Sequence, residues 1–233
     1  MRILSIDTSG AMASVAVAID ERIAAESLLA TDRTLSARLV PEIERLLTLS
    51  GLGMADIDLF AAAVGPGSFT GVRAGVATVQ GLALATGKPC LGFSTLAMLA
   101  LNFPLSRLPV CALLDARKSE VYAGLYDCSD PIPRPLIPDC VMPPLKFAEL
   151  LRQQCPGPVI LAGEGAVRYG DVFATTLGAD ALAAPFPHHC GHAGNGALLA
   201  RDGFAHGLAL SDPSQLLPVY IRPSEAELAA QRQ

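Results

Sequence analysis

Gly65-Pro66-Gly67-Ser68-Phe69-Thr70-Gly71-Val72-Arg73 joins an apolar run, Leu59-Phe60-Ala61-Ala62-Ala63-Val64, to an Ala/Val/Leu-rich segment that continues to about Thr86. The order is strand, glycine loop, helix. Gly65 and Gly67 leave the backbone bare and tolerate positive φ, and Pro66 fixes one φ between them. Ser68 or Thr70 is placed to cap the helix. Two uses of the loop compete. The free N–H groups of a helix start suit an anion, such as the phosphate of a nucleotide. Alternatively a second backbone lies close, because Gly71 and Gly75 stand one helical turn apart and leave one face without side chains. The named phosphate motifs both fail here. A Walker A loop needs Gly-Lys followed by Ser or Thr, which is absent, and a dinucleotide fingerprint needs a third glycine where Thr70 stands.

On either side of this loop, one order of elements occurs twice. Arg2 to Asp7 reads as a buried strand ending in a carboxylate, Ala13 to Ile19 as its return, and Ile23 to Leu29 as a third strand. A helix follows over Thr34 to Ser50, with Leu35, Leu39, Ile43, Leu46 and Leu47 on one stripe. After the loop and its helix come a strand over Lys88–Phe93 and a short helix to Leu101. Past Asn102-Phe103-Pro104 the pattern restarts. Pro109 to Leu114 ends in Asp115, Glu120 to Tyr126 returns, and Pro131 to Pro144 is extended. Leu145 to Gln154 is helical, and Pro158 to Ala162 runs into Gly163-Glu164-Gly165 and a helix to about Leu177. Asp7 thus corresponds to Asp115, and Gly65-Pro66-Gly67 to Gly163-Glu164-Gly165. The expected fold is a duplicated α/β protein with a cleft between its halves. The lobes are expected over 1–103 and 104–206. The second includes a helix from about Ala193 to His206, and the segment 207–233 packs back on the first lobe. Within that segment Ser224 to Ala230 reads as a short polar helix.

Composition narrows the function. Half of the 233 residues are hydrophobic and 17% are charged, enough for a large core. The net charge of −5 and the absence of Trp argue against a chain that grips nucleic acid alone. Six cysteines occur with no CxxC pair, no apolar run approaches the roughly 18 residues of a membrane span, and the chain opens on a strand-like run. The expectation is a cytoplasmic protein with reduced thiols.

Three constellations have chemical potential. Asp7 with Thr8, Ser9, Gly65, Gly67 and Ser68 could contact a phosphate, and Asp7 with Asp115 could hold Mg²⁺ through water. The competing reading is an Asx-turn in which each carboxylate ties its own hairpin. His188-His189-Cys190-Gly191-His192 holds three of the four histidines. His188, Cys190 and His192 have soft-metal ligand types, yet the cluster is not H-E-x-x-H and no acidic base adjoins it. No G-x-S-x-G elbow or other nucleophile constellation occurs. Finally, the Leu35–Leu47 stripe is most simply core, with the alternative that it and the glycine-bearing helix share an exposed docking face.

Seven blocks together resemble one family. They are Ile3-Leu4-Ser5-Ile6-Asp7-Thr8-Ser9, Leu35-Ser36-Ala37-Arg38-Leu39-Val40-Pro41, Gly65 to Arg73, Gln80-Gly81-Leu82-Ala83, Gly92-Phe93-Ser94-Thr95-Leu96, Asp115-Ala116-Arg117-Lys118-Ser119-Glu120-Val121-Tyr122 and Pro218-Val219-Tyr220-Ile221-Arg222. The chain resembles the bacterial TsaB/YeaZ family from end to end. The resemblance implies the actin/Hsp70-like ATPase fold, with two ribonuclease-H-like lobes. It implies a non-catalytic accessory role in making threonylcarbamoyladenosine at position 37 of tRNA, through a dimer with the threonylcarbamoyltransferase TsaD, joined by the ATPase TsaE. The residues leave open whether the chain alone is a homodimer or a monomer; tRNA would be met only through the complex. ATP or ADP would sit at an interface of that complex. Family dimer contacts come from the first two helices, which here carry Leu35, Leu39, Ile43, Leu46, Gly71, Val72, Gly75, Val76 and Val79. Many relatives have His where Leu35 stands. An older peptidase label for relatives finds no support in these residues. The competing enzyme reading is a Mg²⁺-ATP-dependent ATPase or phosphotransferase using the two aspartates and glycine loops.

Overall fold

The computed structural model describes residues 1–31 and 35–222, the side chains of Leu35 and Ser36 excepted. The expected helix at Ser224–Ala230 and the docking role of the Leu35 side chain lie outside the described residues.

The first half builds a five-stranded sheet. Strands β1 (Arg2–Asp7), β2 (Met12–Ile19) and β3 (Arg22–Ala30) form an antiparallel meander, and β4 (Leu59–Gly65) and β5 (Cys90–Ser94) add in parallel beside β1. The spatial order is β3-β2-β1-β4-β5. The second half repeats it with β6 (Val110–Asp115), β7 (Val121–Asp127), β8 (Arg134–Met142), β9 (Val159–Ala162) and β10 (Ala181–Ala183) in the order β8-β7-β6-β9-β10. The duplicated α/β architecture read from the sequence is therefore present, and the two halves match each other strand for strand. Two strands were not legible as such. The Pro-rich stretch over 131–144 contains β8, which lies at a sheet edge, where Pro135 and Pro138 cost least because an edge strand leaves N–H groups unpaired anyway. The three-residue β10 is too short to carry a pattern.

Among the described residues seven helices cover the sheets: α1 (Leu35–Leu49), α2 (Phe69–Thr86), α3 (Thr95–Ala100), α4 (Pro144–Gln154), α5 (Glu164–Arg168), α6 (Gly170–Leu177) and α7 (Ala193–Ala205). The helix expected from Gly165 to Leu177 is divided at Tyr169. Strand alternation sets the layers, since successive side chains point to opposite faces. Leu4, Ile6, Phe60 and Ala62 face α1 and α2, while Ile3, Leu59, Ala61 and Phe93 face α7. In the second sheet Cys111 and Leu113 face α4 and α6, while Val110, Ala112 and Leu114 face α3.

The inner helices are exchanged between halves. Helix α3 follows the first sheet but packs Leu96, Leu99 and Ala100 on the second. Helix α7 follows the second sheet but packs Ala197 and Ala200 on the first. The helix that the sequence reading grouped with the second lobe thus covers the first. Its amides are capped from that sheet: Ala193 N–H donates to Ser14 Oγ at 2.9 Å and Gly194 N–H to Glu26 Oε1 at 2.8 Å.

After α7 the chain returns to the first sheet. Leu210 pairs with Cys90, and Leu216 enters the core beneath α2. Val219 N–H donates to Val64 O at 2.8 Å.

Candidate functional site

The two repeats bring their equivalent turns to one cleft. Asp7 ends β1 and Asp115 ends β6, and both line a cavity of 430 Å³ with Ser9, Glu164, Arg168 and His189. It opens into a wider groove of 750 Å³ lined by Pro66, Phe69, Arg117, Tyr122 and Tyr220.

The glycine loop lines the wider groove with Pro66, Gly67, Ser68 and Phe69, and part of its backbone is engaged within the chain. It packs onto the turn after β1. Ser68 N–H donates to Ser9 O at 2.7 Å, Val72 N–H to Ser68 O at 2.8 Å, and Gly71 N–H to the capping Ser68 Oγ at 3.3 Å. A Cβ on Gly67 would stand 2.6 Å from Ser9 O, one on Gly71 2.0 Å from Thr8 O, and one on Gly75 2.5 Å from Thr8 Oγ1. The glycines are bare because this chain's own Thr8 and Ser9 lie against them. The second repeat does the same: Cβ atoms on Gly163 and Gly165 would stand 2.1 and 2.9 Å from the backbone of Leu113.

The residues assigned to docking are corrected accordingly. Leu39, Ile43, Leu46, Val72, Val76 and Val79 are buried in the core with Leu4, Ile6 and Phe60. Gly71 and Gly75 meet Thr8. A partner cannot reach side chains that the first sheet has already covered. The outward faces of α1 and α2 present Val40, Leu49, Ala77, Gly81, Leu84 and Ala85 instead.

Both aspartates form the Asx-turn. Asp7 Oδ1 accepts from Ser9 N–H at 2.9 Å and Asp115 Oδ1 from Arg117 N–H at 3.0 Å. Their surroundings differ. Asp7 is buried, and a Cβ on Gly191 would stand 3.0 Å from its Oδ2. Burial pushes the Asp7 carboxyl above the usual carboxylate range, against the pull of hydrogen bonding from Ser9. Asp115 is neutralised by Arg168 at 3.0 Å and Arg117 at 3.2 Å, and accepts from the Tyr169 hydroxyl at 3.1 Å. The Arg168-Tyr169 pair carried no signal in sequence, because only the fold brings α5 to the end of β6.

Arg117, Lys118 and Ser119 have φ of 59°, 52° and 58°. Three successive left-handed residues with side chains cost roughly 1–2 kcal/mol each. Such strain is held by its surroundings and clusters at working sites.

The histidine cluster disperses, which corrects the metal reading of His188, Cys190 and His192. His188 packs on Phe103 with ring centroids 4.8 Å apart, His189 Nδ1 accepts from Gly163 N–H at 3.1 Å, and His192 Nδ1 lies 3.3 Å from Glu26 Oε2. Among the described residues no group of three His, Cys, Asp or Glu gathers as a metal site. Among them also, no helix is long and apolar enough to cross a membrane.

A nucleotide with Mg²⁺, which the fold class implies, needs hard carboxylate oxygens and open amides. Asp115 is committed to two arginines and a tyrosine, and Ser68, Gly71 and Val72 N–H groups are taken within the chain. Asp115 and the Ser68, Gly71 and Val72 amides are thus engaged within this chain rather than open to such a nucleotide.

Two five-stranded sheets of identical order, exchanged inner helices and a cleft between paired Asp turns define the actin-like ATPase fold. A ROK hexokinase from Thermus thermophilus shares this fold at 13% identity and a TM-score of 0.50, covering 87% of this chain. The family model for TsaD, tRNA N6-adenosine threonylcarbamoyltransferase, matches residues 29–186. YeaZ from Pseudomonas aeruginosa superposes with a TM-score of 0.81 at 32% identity, over 94% of this chain and 99% of that one. The tRNA threonylcarbamoyladenosine biosynthesis protein TsaB of Bacillus subtilis is 28% identical over 97% of this chain and 96% of its own length. That of Escherichia coli is 41% identical over 54% of this chain and 55% of its own. The chain belongs to the TsaB/YeaZ family.

Proposed function

We propose that this chain is a non-catalytic accessory subunit in the synthesis of threonylcarbamoyladenosine on tRNA, acting by docking a TsaD-like transferase. The observation that carries the reading is the state of the cleft. One aspartate is buried and pushed toward its neutral form, and the other is tied to Arg117 and Arg168. Neither is placed as a free carboxylate for metal or base chemistry. The relatives' names supply the pathway, and the match to the TsaD family model supports a partner of the same fold.

The docking face in this reading is the outward side of α1 and α2. Val40, Leu49 and Leu84 are exposed there, and the small residues Ala77, Gly81 and Ala85 leave room for a helix to approach. A subunit of this kind acts by favouring one state of its partner through contacts made only in that state. A TsaE-like ATPase, tRNA and any ATP or ADP would join through the assembled complex, in the cytoplasm; homodimerisation of the chain alone would use the same face.

The test is a reconstituted tRNA-modification assay with TsaD- and TsaE-like subunits. Omitting this chain should abolish product, and an unchanged rate would sink the proposal. Hydrolysis of Mg²⁺-ATP by the chain alone, lost in Asp7→Asn, would instead support the enzyme reading.

A further inference from the structure

The tail of the chain crosses the mouth of the cleft. It starts on the first half, where Gln80 Nε2 donates to Leu216 O at 2.9 Å and Val219 N–H to Val64 O at 2.8 Å. Tyr220 lies over Phe69 with ring centroids 5.3 Å apart, and its hydroxyl accepts from Arg73 Nε at 2.7 Å. It ends on the second half. Arg222 Nη1 donates to Ala116 O at 2.8 Å, and Arg222 Nη2 pairs with the Glu120 carboxylate.

Ala116 and Glu120 are the two ends of the left-handed turn. Ala116 N–H donates to Glu120 O at 3.0 Å, and Glu120 N–H to Arg117 O at 3.0 Å. These two short-range bonds enclose three consecutive residues in an unfavourable conformation. A single guanidinium from 102 residues further along the chain bridges both ends. The Asp115–Arg117 pair is a second support, but Arg117 is largely exposed there, so solvent weakens it.

We propose that residues 216–222 form a strap, and that Arg222 holds the Ala116–Glu120 turn in its left-handed form, so that strap and turn open as one unit. The 750 Å³ groove is lined by both, by Val219, Tyr220 and Arg222 of the strap and by Ala116, Arg117 and Lys118 of the turn. Anything that lifts the strap therefore releases the turn and reshapes the groove. Strain held by a remote contact is the element a two-state device needs.

Limited trypsin digestion of the full chain reads this out, because Arg117 and Lys118 are themselves cleavage sites. Arg222→Ala should raise cleavage at 117 and 118 at least about fivefold, as cleavage follows the open population. Lys146 and Arg152 on α4 are the internal control and should not change. Adding Ser119→Gly, which removes the left-handed penalty at one of the three positions, should restore part of the protection. Equal cleavage at 117 and 118 with and without Arg222 overturns the proposal. If Arg222→Ala raises cleavage everywhere, hydrogen exchange on the unaltered chain decides. Amides of Ala116, Glu120 and Val219 exchanging at a common rate support the coupled strap, and Val219 exchanging independently of the turn refutes it.

Discussion

Thr8 and Gly71 lie backbone against backbone. Thr8 Oγ1 donates to the Gly71 carbonyl at 2.6 Å, and a Cβ on Gly71 would stand 2.0 Å from the Thr8 carbonyl oxygen. The contact fixes the glycine helix to the turn that carries Asp7. Neither backbone can move without breaking the β1–β4 pairing or the α2 cap. Gly71→Ala should therefore cost at least about 2 kcal/mol, as overpacking does in a closed site. Gly81, in the same helix, has nothing within 4 Å of its missing Cβ. Gly81→Ala should gain up to about 1 kcal/mol from helix propensity. Urea denaturation of the pair checks both signs.

Asp7 gives a pH signature. Its folded pKa lies above the ordinary carboxyl value of 3.8, so its contribution is fully favourable below that value and is lost as pH rises through the folded pKa. Above the ordinary carboxyl range folding bears the cost of burying this carboxyl. Asp7→Asn keeps an oxygen for Ser9 N–H and removes the charge. The variant should be more stable than the parent at neutral pH, and the difference should vanish in acid below the ordinary carboxyl range. Chemical denaturation across pH measures it; a difference that does not change with pH would dismiss the account.

The fold was legible because strand alternation and glycine punctuation are local. The Asp7 and Asp115 turns, the order of elements and both glycine loops are where the sequence places them. What was not legible depends on neighbours distant in the chain. Leu39, Ile43 and Val76 look the same on paper whether a partner or the first sheet covers them. Gly71 and Gly75 announce a close approach without saying whose backbone approaches. The partners of Asp115 come from α5, and the cap of α7 comes from Ser14 and Glu26, more than 160 residues away in sequence. The four-residue spacing of His188 and His192 suggested a shared ligand, but the 3₁₀ turn Phe186–His189 and the start of α7 aim them apart.

The His192–Glu26 pair anchors the linker that enters α7. Its hydrogen bond to the Glu26 carboxylate holds the His192 pKa above its ordinary 6.5, so that part of the stability is full below 6.5 and fades as pH rises through the folded value. For Glu26, burial pushes the carboxyl up, but bonds from His192 and Gly194 outweigh it and leave it below its ordinary 4.5. Its contribution is present above 4.5 and fades as pH falls through the folded value. The pair is therefore at full strength between about 4.5 and 6.5. Being partly exposed, it should contribute no more than about 1 kcal/mol. His192→Gln should lose that amount near the middle of this window and much less in mild alkali, as thermal melts at several pH values would report.

The outer face of α2 separates docking from folding. Leu84 is 75% exposed, so Leu84→Asp should leave the melting temperature nearly unchanged. If α2 is the docking helix, the same change should weaken the complex with a TsaD-like subunit at least about tenfold, near 1.4 kcal/mol. Calorimetric titration gives the affinity directly. Val76→Ala, by contrast, should cost roughly 1–2 kcal/mol of stability through lost burial.

The exchange of α3 and α7 has a consequence for how the chain is made. The first sheet is fully synthesised at Ser94, yet the helix that covers Ile3, Leu59 and Phe93 is Ala193–Ala205. About a hundred more residues must leave the ribosome before that face can close. Until then the nascent amino-terminal half exposes an apolar sheet surface to its surroundings, and a chaperone has a binding site there. Neither half can be cut away to yield a finished molecule, and a premature stop before α7 would leave a sticky fragment rather than a smaller protein.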